Sequence, residues 1–128
     1  MTEERREEAR WFRQRIGAVM PRARVVADAE GWPMVPGKLG QVETALDRTL
    51  LAVYTTRVKM IRKFLAIPGV RKHQMGDREA RMRFPADDPE CLREVLAAIQ
   101  AKRRRTSESG RNAEAMAQMR QAKRRVSP

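Results

Sequence analysis

Residues 49–55, TLLAVYT, constrain the fold more than any other segment, because apolar side chains occupy both alternating sets of positions. A strand that is apolar on both sides needs cover on both sides, which predicts a place in the middle of a sheet. Residues 41–46 alternate along the chain just before it, which is typical of a neighbouring strand. We therefore expect a sheet built around these two strands, with Asp47 and Arg48 in the turn between them.

A helix is predicted next, at residues 57–67. The apolar side chains of Val58, Ile61 and Leu65 recur at helical spacing, and we expect them to face the core. The basic side chains of the same segment then crowd the opposite side of the helix. These are Arg57, Lys59, Arg62 and Lys63.

A β-hairpin and a last helix follow. Residues 70–75 and 79–84 are predicted to pair around Gly76 and Asp77, because apolar and charged side chains alternate strictly in the second strand. The last helix begins near Asp88. Its apolar side chains recur at the i, i+3, i+4, i+7 spacing of a buried face, and they are Leu92, Val95, Leu96 and Ile99.

The N-terminal part holds one further helix. Thr2 is a suitable N-cap, acidic side chains fill the opening turns, and an apolar stripe runs from Phe12 to Met20, so we expect a helix that Pro21 ends. A short strand is expected at residues 23–27. The segment 31–37 contains two prolines and two glycines, which predicts a rigid loop without a regular element.

The order of the predicted elements has an architectural parallel. From Leu50 to Ile99, with Ile67-Pro-Gly-Val70 closing one helix and Asp88-Pro-Glu90 opening the next, the chain resembles the β-α-β-β-α part of ferredoxin-like domains, which include small metal-binding and ACT-type modules. The metal-binding members carry a Cys-x-x-Cys loop where this chain has Tyr54-Thr-Thr-Arg57, so metal transport is not implied. Such sheets host many unrelated functions, and the resemblance implies a fold only.

We therefore predict a small single α+β domain in which an N-terminal helix precedes a β-β-α-β-β-α series, with helices on one face of an antiparallel sheet related to the ferredoxin-like type. The expected divisions are an amphipathic helix at 1–21, a core domain at 22–101, and a basic tail at 102–128 that is disordered or a lone helix. Cys91 and His73 are the only cysteine and histidine, so we expect no disulfide within the chain, no metal site and no cofactor.

The net charge of +12 is concentrated in two blocks. Residues 57–83 and residues 102–128 each carry nine basic and two acidic side chains, whereas the rest of the chain is close to balance. A basic block that neutralises phosphates releases counterions and binds polyanions without regard to sequence. Arginine outnumbers lysine by 22 to 6. Guanidinium groups suit phosphate oxygens, although a GC-rich genome would give the same ratio.

Nucleic acid is the partner that this charge pattern favours, as duplex DNA or structured RNA bound mainly through phosphates. The hairpin lacks alternating aromatic side chains, and Tyr54 and Phe84 are the only candidates for stacking on unpaired bases. The predicted contact residues lie on the helix, the hairpin and the tail. They are Arg57, Lys59, Arg62, Lys63, Arg71, Lys72, Arg78, Arg81, Arg83, Lys102, Arg103, Arg104, Arg105, Lys123, Arg124 and Arg125.

Two other functions stay open. A protein-binding regulator or inhibitor of a nucleic-acid enzyme, as phages and mobile elements encode, could use exposed Trp11 and Trp32 as anchors. A metal-dependent nuclease could use Asp77 and Glu79, but Arg81 stands where such an enzyme normally has a lysine, and a guanidinium is a poor general base. No other catalytic signature occurs, so we expect a protein that is not an enzyme.

The chain has no run long enough to span a membrane and no apolar N-terminal signal segment. We therefore expect no membrane partner and a cytoplasmic or nucleoid-associated location.

Overall fold

Six antiparallel strands form an open sheet in the computed structural model, which describes residues 2–104. Three α-helices accompany the sheet within this range. The helices are α1 (Glu3–Val19), α2 (Ile61–Leu65) and α3 (Pro89–Ala98), and a 3-10 turn, Val58–Met60, leads into α2. The strands are β1 (Val26–Ala27), β2 (Pro33–Pro36), β3 (Gln41–Thr44), β4 (Leu50–Thr55), β5 (Arg71–Met75) and β6 (Ala80–Pro85).

The strand order in the sheet is β1-β2-β3-β4-β6-β5. The first four strands follow one another as antiparallel neighbours, and β6 lies between β4 and β5. As a result β4 and β5 run in the same direction with α2 in their connection, which is the split β-α-β arrangement. The strand predicted to be central, β4, does lie inside the sheet between β3 and β6.

One face of the sheet carries the apolar core. A row of paired residues crosses four strands on this face, and every member is fully buried: Val35, Val42, Val53 and Met82. The helices cover this row, since α1 contacts β2 while α2 and α3 contact β6. In the helix layer α3 lies between α1 and α2, because it contacts both. We call the opposite side of the sheet the open face.

The two longer helices begin as their sequences predict. The hydroxyl oxygen of Thr2 accepts a hydrogen bond from the backbone N–H of Arg5 at 3.2 Å, and the carboxylate of Asp88 accepts one from the N–H of Cys91 at 3.1 Å. The predicted apolar face of α3 is buried. Cys91 lies in the same core, where burial raises the pKa of its thiol to about 11 and keeps the thiol protonated.

The prediction for the helix at residues 57–67 was wrong in length and in part of its buried face. Val58 is 53% exposed, whereas Phe64 is fully buried and Met60 is nearly so. The segment begins as a 3-10 turn, which has three residues per turn, so the spacing of a regular α-helix does not apply across it. Burying the larger Phe64 and Met60 removes more apolar surface from water than burying Val58 would.

The prediction that residues 31–37 contain no regular element was also wrong, because β2 occupies Pro33–Pro36 and pairs on both sides. The two prolines stand at the first and last positions of β2. A missing N–H is tolerated at a strand end, and β1 is too short to require a donor from Pro36. The predicted β-β-α-β-β-α series therefore lacked two of the six strands, β1 and β2. A short strand was expected separately at residues 23–27, and β1 occupies two of these residues, Val26–Ala27.

Candidate nucleic-acid interface

Four exposed basic side chains surround α2. Met60 and Phe64, one helical turn apart, are buried and fix the orientation of this segment. Their burial leaves the basic side chains on the outside, as the sequence predicted, and all four are exposed: Arg57, Lys59, Arg62 and Lys63. No acidic residue occurs in the sequence from Thr56 to Gly76, so the segment itself supplies no neutralising carboxylate.

Strand β5, which follows α2 in the chain, adds two further cations. It is an edge strand that pairs only with β6, and each of its five residues is exposed. Lys72 pairs with Met82 and therefore lies on the side of the helices, whereas Arg71 pairs with Arg83 and lies on the open face. We call the resulting set, which continues around the edge of the sheet, the edge surface: Arg57, Lys59, Arg62, Lys63, Arg71 and Lys72.

Arg81, another predicted contact residue, belongs to a network on the open face. Its Nε donates to the carboxylate of Glu43, and its Nη1 donates to Gln74 at 2.9 Å. Its guanidinium also lies 5.1 Å from the centre of the Tyr54 ring. The Tyr54 hydroxyl in turn donates to Glu79 at 2.6 Å. The charge of Arg81 is therefore opposed by carboxylates of the protein itself.

Arg83 lies in the next row of the open face, beside Ala52, and is half-buried. Among the described residues its buried Nε has no hydrogen-bond partner. The carboxylate of Asp47 is nevertheless close enough to interact with the charge of Arg83. Hydrogen bonds from Thr49 lower the pKa of Asp47, and the positive charge of Arg83 adds a smaller contribution in the same direction. Arg81 and Arg83 thus differ from the edge surface, which has no such neighbours in its own segment.

The hairpin turn between β5 and β6 carries Asp77, Arg78 and Glu79, all exposed. The turn is closed by a backbone hydrogen bond from the N–H of Gly76 to the carbonyl of Glu79 at 2.8 Å. Glu79 accepts the hydrogen bond from Tyr54, so its carboxylate is already engaged. Within residues 2–104, no group of three or more His, Cys, Asp or Glu side chains is placed to hold a metal ion.

The two tryptophans are half-buried rather than exposed as expected. The guanidinium of Arg48 lies 6.0 Å from the ring centre of Trp11, and that of Arg5 lies 5.3 Å from the ring centre of Trp32. Arg48 also pairs with Glu8 at 3.1 Å. An arginine of the protein therefore lies over each ring that was predicted to anchor a partner.

The first residues of the predicted tail pair with the domain. The N–H of Lys102 donates to the carbonyl of Pro36 at 2.9 Å, and its carbonyl accepts from the N–H of Arg24 at 2.8 Å. Two isolated bridges, Ala23 with Arg103 and Gly37 with Ala101, extend this contact. The segment after α3 thus lies between the start of the β1 region and the end of β2. Arg105, Lys123, Arg124 and Arg125 lie outside the described residues.

This pairing creates a second basic cluster, which we call the junction surface: Arg13, Arg24, Lys102 and Arg104. Arg103 pairs with Ala23 and therefore projects on the opposite side of this segment, where it lines a separate cleft beside α3. Arg13 and Arg104 line one shallow cleft at the end of α1. All four residues are exposed. Arg13 and Arg24 were missed by the sequence analysis, because they lie in a stretch with balanced charge. Only the contact with residues 102–104 joins them to the tail.

The comparisons with known proteins give no assignment: the chain matches no protein-family model, no curated protein and no solved structure. In the part of the chain that the structure describes, no helix has the length and apolar character needed to cross a membrane.

Proposed function

We propose that this protein is a small, non-enzymatic nucleic-acid-binding protein that contacts the phosphate backbone of duplex DNA or structured RNA. One observation carries the proposal. The edge surface presents six exposed Lys and Arg side chains, and they come from a segment without a single acidic residue. A one-sided cluster of this kind attracts a polyanion and releases its counterions on binding.

The position of the edge surface supports contact with a backbone. The buried side chains of Met60 and Phe64 hold α2 against the domain, so its cations project from a fixed support. Lys72 lies on the same side of the sheet as α2, and Arg71 continues the charge around the exposed edge. Such an edge can lie along a row of phosphates without entering a groove, which agrees with weak sequence readout.

The aromatic side chains support duplex or structured nucleic acid over unpaired single strands. Phe84 is 1% exposed and belongs to the core. Tyr54 donates its hydroxyl to Glu79, and the guanidinium of Arg81 lies over its ring. Stacking on unpaired bases needs free aromatic faces, whereas Phe84 is buried and Arg81 covers one face of Tyr54. Recognition would then depend on phosphates.

Fluorescence anisotropy with labelled mixed-sequence duplex, structured RNA and single strands, over a series of salt concentrations, tests the proposal. Six phosphate contacts predict a slope of about −5 for log affinity against log salt with duplex DNA. The double variant Arg62→Glu/Lys63→Glu should weaken binding to every sequence and make the slope shallower by about two. These side chains are exposed, so the fold should be retained.

A matched control is Arg6→Glu/Arg10→Glu, which makes the same change in net charge on α1. Both residues are exposed, and Glu3, Glu4 and Glu7 lie near them in sequence. If overall charge alone drives binding, the two double variants will lose affinity equally, and that result would remove the edge surface from the proposal. No salt-dependent binding by the unmodified chain would reject the proposed function itself.

A further inference from the structure

The two basic surfaces lie at opposite ends of the sheet. The edge surface includes β5, the last strand in the order, whereas the junction surface lies where residues 101–103 pair with Ala23 and Gly37, beside β1 and β2. Four inter-strand spacings separate β2 from β5, which corresponds to about 19 Å. The usual twist over four spacings would also turn the two ends by roughly 80–100° relative to each other.

Acidic side chains lie between the two surfaces on the open face. A cleft of about 520 Å³ crosses this face from the loop between β1 and β2 to β5. Five of its lining residues are carboxylates, Glu4, Glu8, Asp28, Glu30 and Glu43, and two are arginines, Arg81 and Arg83. A phosphate backbone that followed this cleft to β5 would meet more carboxylates than cations.

The helix layer also separates the two surfaces. α3 lies between α1, near the junction surface, and α2, in the edge surface. Glu90 and Glu94 of α3 and the preceding Asp87 are exposed. Residues 84–101 contain four acidic residues and one basic residue. The two surfaces therefore do not form one continuous basic track.

The junction surface is built into the fold. Three backbone hydrogen bonds of 2.8–2.9 Å hold residues 102–104 between the segment at residues 22–24 and Pro36. A side chain at Gly37 would collide with the carbonyl of Ile99, since an added Cβ would lie 2.4 Å from that oxygen. This close approach lets the segment after α3 pair there and holds its cations at the surface.

We propose that the domain holds two nucleic-acid segments at once, one on the edge surface and one on the junction surface. This inference rests on the proposed function and adds an activity to it, the bridging of two duplexes. One nucleic-acid segment neutralises the charge of one basic surface. The carboxylates between the surfaces repel its continuation, so the second basic surface is left for a second segment. The angle between the ends of the sheet favours segments that cross rather than run side by side.

Bridging is tested with the full chain and two short duplexes, one labelled with a donor and the other with an acceptor fluorophore. Energy transfer should rise as protein is added and fall again at excess protein, when each duplex has its own protein molecule. Arg24→Glu/Lys102→Glu should abolish most of the energy transfer while binding to one duplex, followed by anisotropy, persists. Arg62→Glu/Lys63→Glu should also abolish transfer, whereas the control Arg6→Glu/Arg10→Glu should retain it.

The alternatives give different results. Binding of each duplex without energy transfer would overturn the bridging inference and leave the proposed function intact. Transfer that survives Arg24→Glu/Lys102→Glu would also overturn it, because bridging would then not depend on the junction surface. A loss of single-duplex affinity in that variant, without transfer in the unmodified chain, would indicate one duplex wrapped over both surfaces. Failure to bind any duplex would reject both proposals.

Discussion

The paired strands β5 and β6 form one hairpin, yet their surroundings differ completely. In β6, Ala80, Met82 and Phe84 are buried against the helices, and alternate residues face the other way. In β5 every residue is exposed. The difference follows from position, since β6 lies between two strands and β5 lies at the edge of the sheet. One strand of the hairpin contributes three side chains to the core, and the other leaves all five of its side chains exposed.

Replacing one methionine in each strand by alanine should give the largest difference in the free energy of unfolding. Met82 in β6 is fully buried, whereas Met75 in β5 is 44% exposed. Met82→Ala should lower the free energy of unfolding by about 2–5 kcal/mol, because it leaves a cavity in the core. Met75→Ala should change it by less than about 0.5 kcal/mol. Denaturant unfolding measures both, and similar losses would mean that β5 is also packed against a part of the protein.

The edge position of β5 also shows how the protein limits unwanted strand pairing. The register with β6 shifts between Lys72 and Gln74, so His73 forms a bulge, and the strand begins with two cations. Bulges and charges at an edge discourage association with other strands. The same charges belong to the edge surface that we propose contacts phosphates, so one feature of the sequence would serve both purposes.

The elements with a strong pattern were predictable from the sequence. β4 is apolar on both sides, β6 alternates strictly, and α3 has a complete helical stripe, so burial in each follows from the period of its own residues. The prediction that Val58 faces the core was wrong, because the segment begins with a 3-10 turn, in which residues on one side recur every three positions. β2 was missed because its prolines suggested a loop, although prolines at strand ends leave the ladder intact.

The two basic surfaces also differ in how far the sequence predicts them. The cations of the edge surface lie close together in the sequence, within residues 57–72, and could be predicted from it. The junction surface depends on backbone hydrogen bonds that join residues 102–104 to Arg22, Arg24 and Pro36. Backbone pairing of this kind leaves no side-chain pattern, and only the three-dimensional structure brings Arg13 and Arg24 next to the tail.

A second comparison concerns two arginines on the two strands, Arg81 and Arg71. Arg81 pairs with Glu43, and the side chains of the pair are 39% and 17% exposed. A double-mutant cycle with Glu43→Gln and Arg81→Gln should give a coupling energy of about 0.5–1 kcal/mol, a range reduced by the partial exposure. Arg71→Gln is the control and should leave stability within about 0.5 kcal/mol. A coupling near zero would place Arg81 among the cations that are free to bind phosphate.

The smallest expected effect is a change in the pKa of Tyr54, which reports directly on the hydrogen bonds of the open face. The hydrogen bond from its hydroxyl to Glu79 raises the pKa of the phenol above the ordinary value of 10.0, because the bond and the nearby carboxylate favour the neutral form. Tyr54 is the only tyrosine, so the absorbance of the phenolate against pH reports this residue alone. Glu79→Gln should lower the midpoint, since it removes the negative charge and weakens the hydrogen bond. Circular dichroism over the same pH range shows whether the fold survives the titration. An ordinary midpoint in the unmodified protein would mean that Tyr54 is not held by Glu79, and it would remove one of the two contacts that argue against stacking of this ring on unpaired bases.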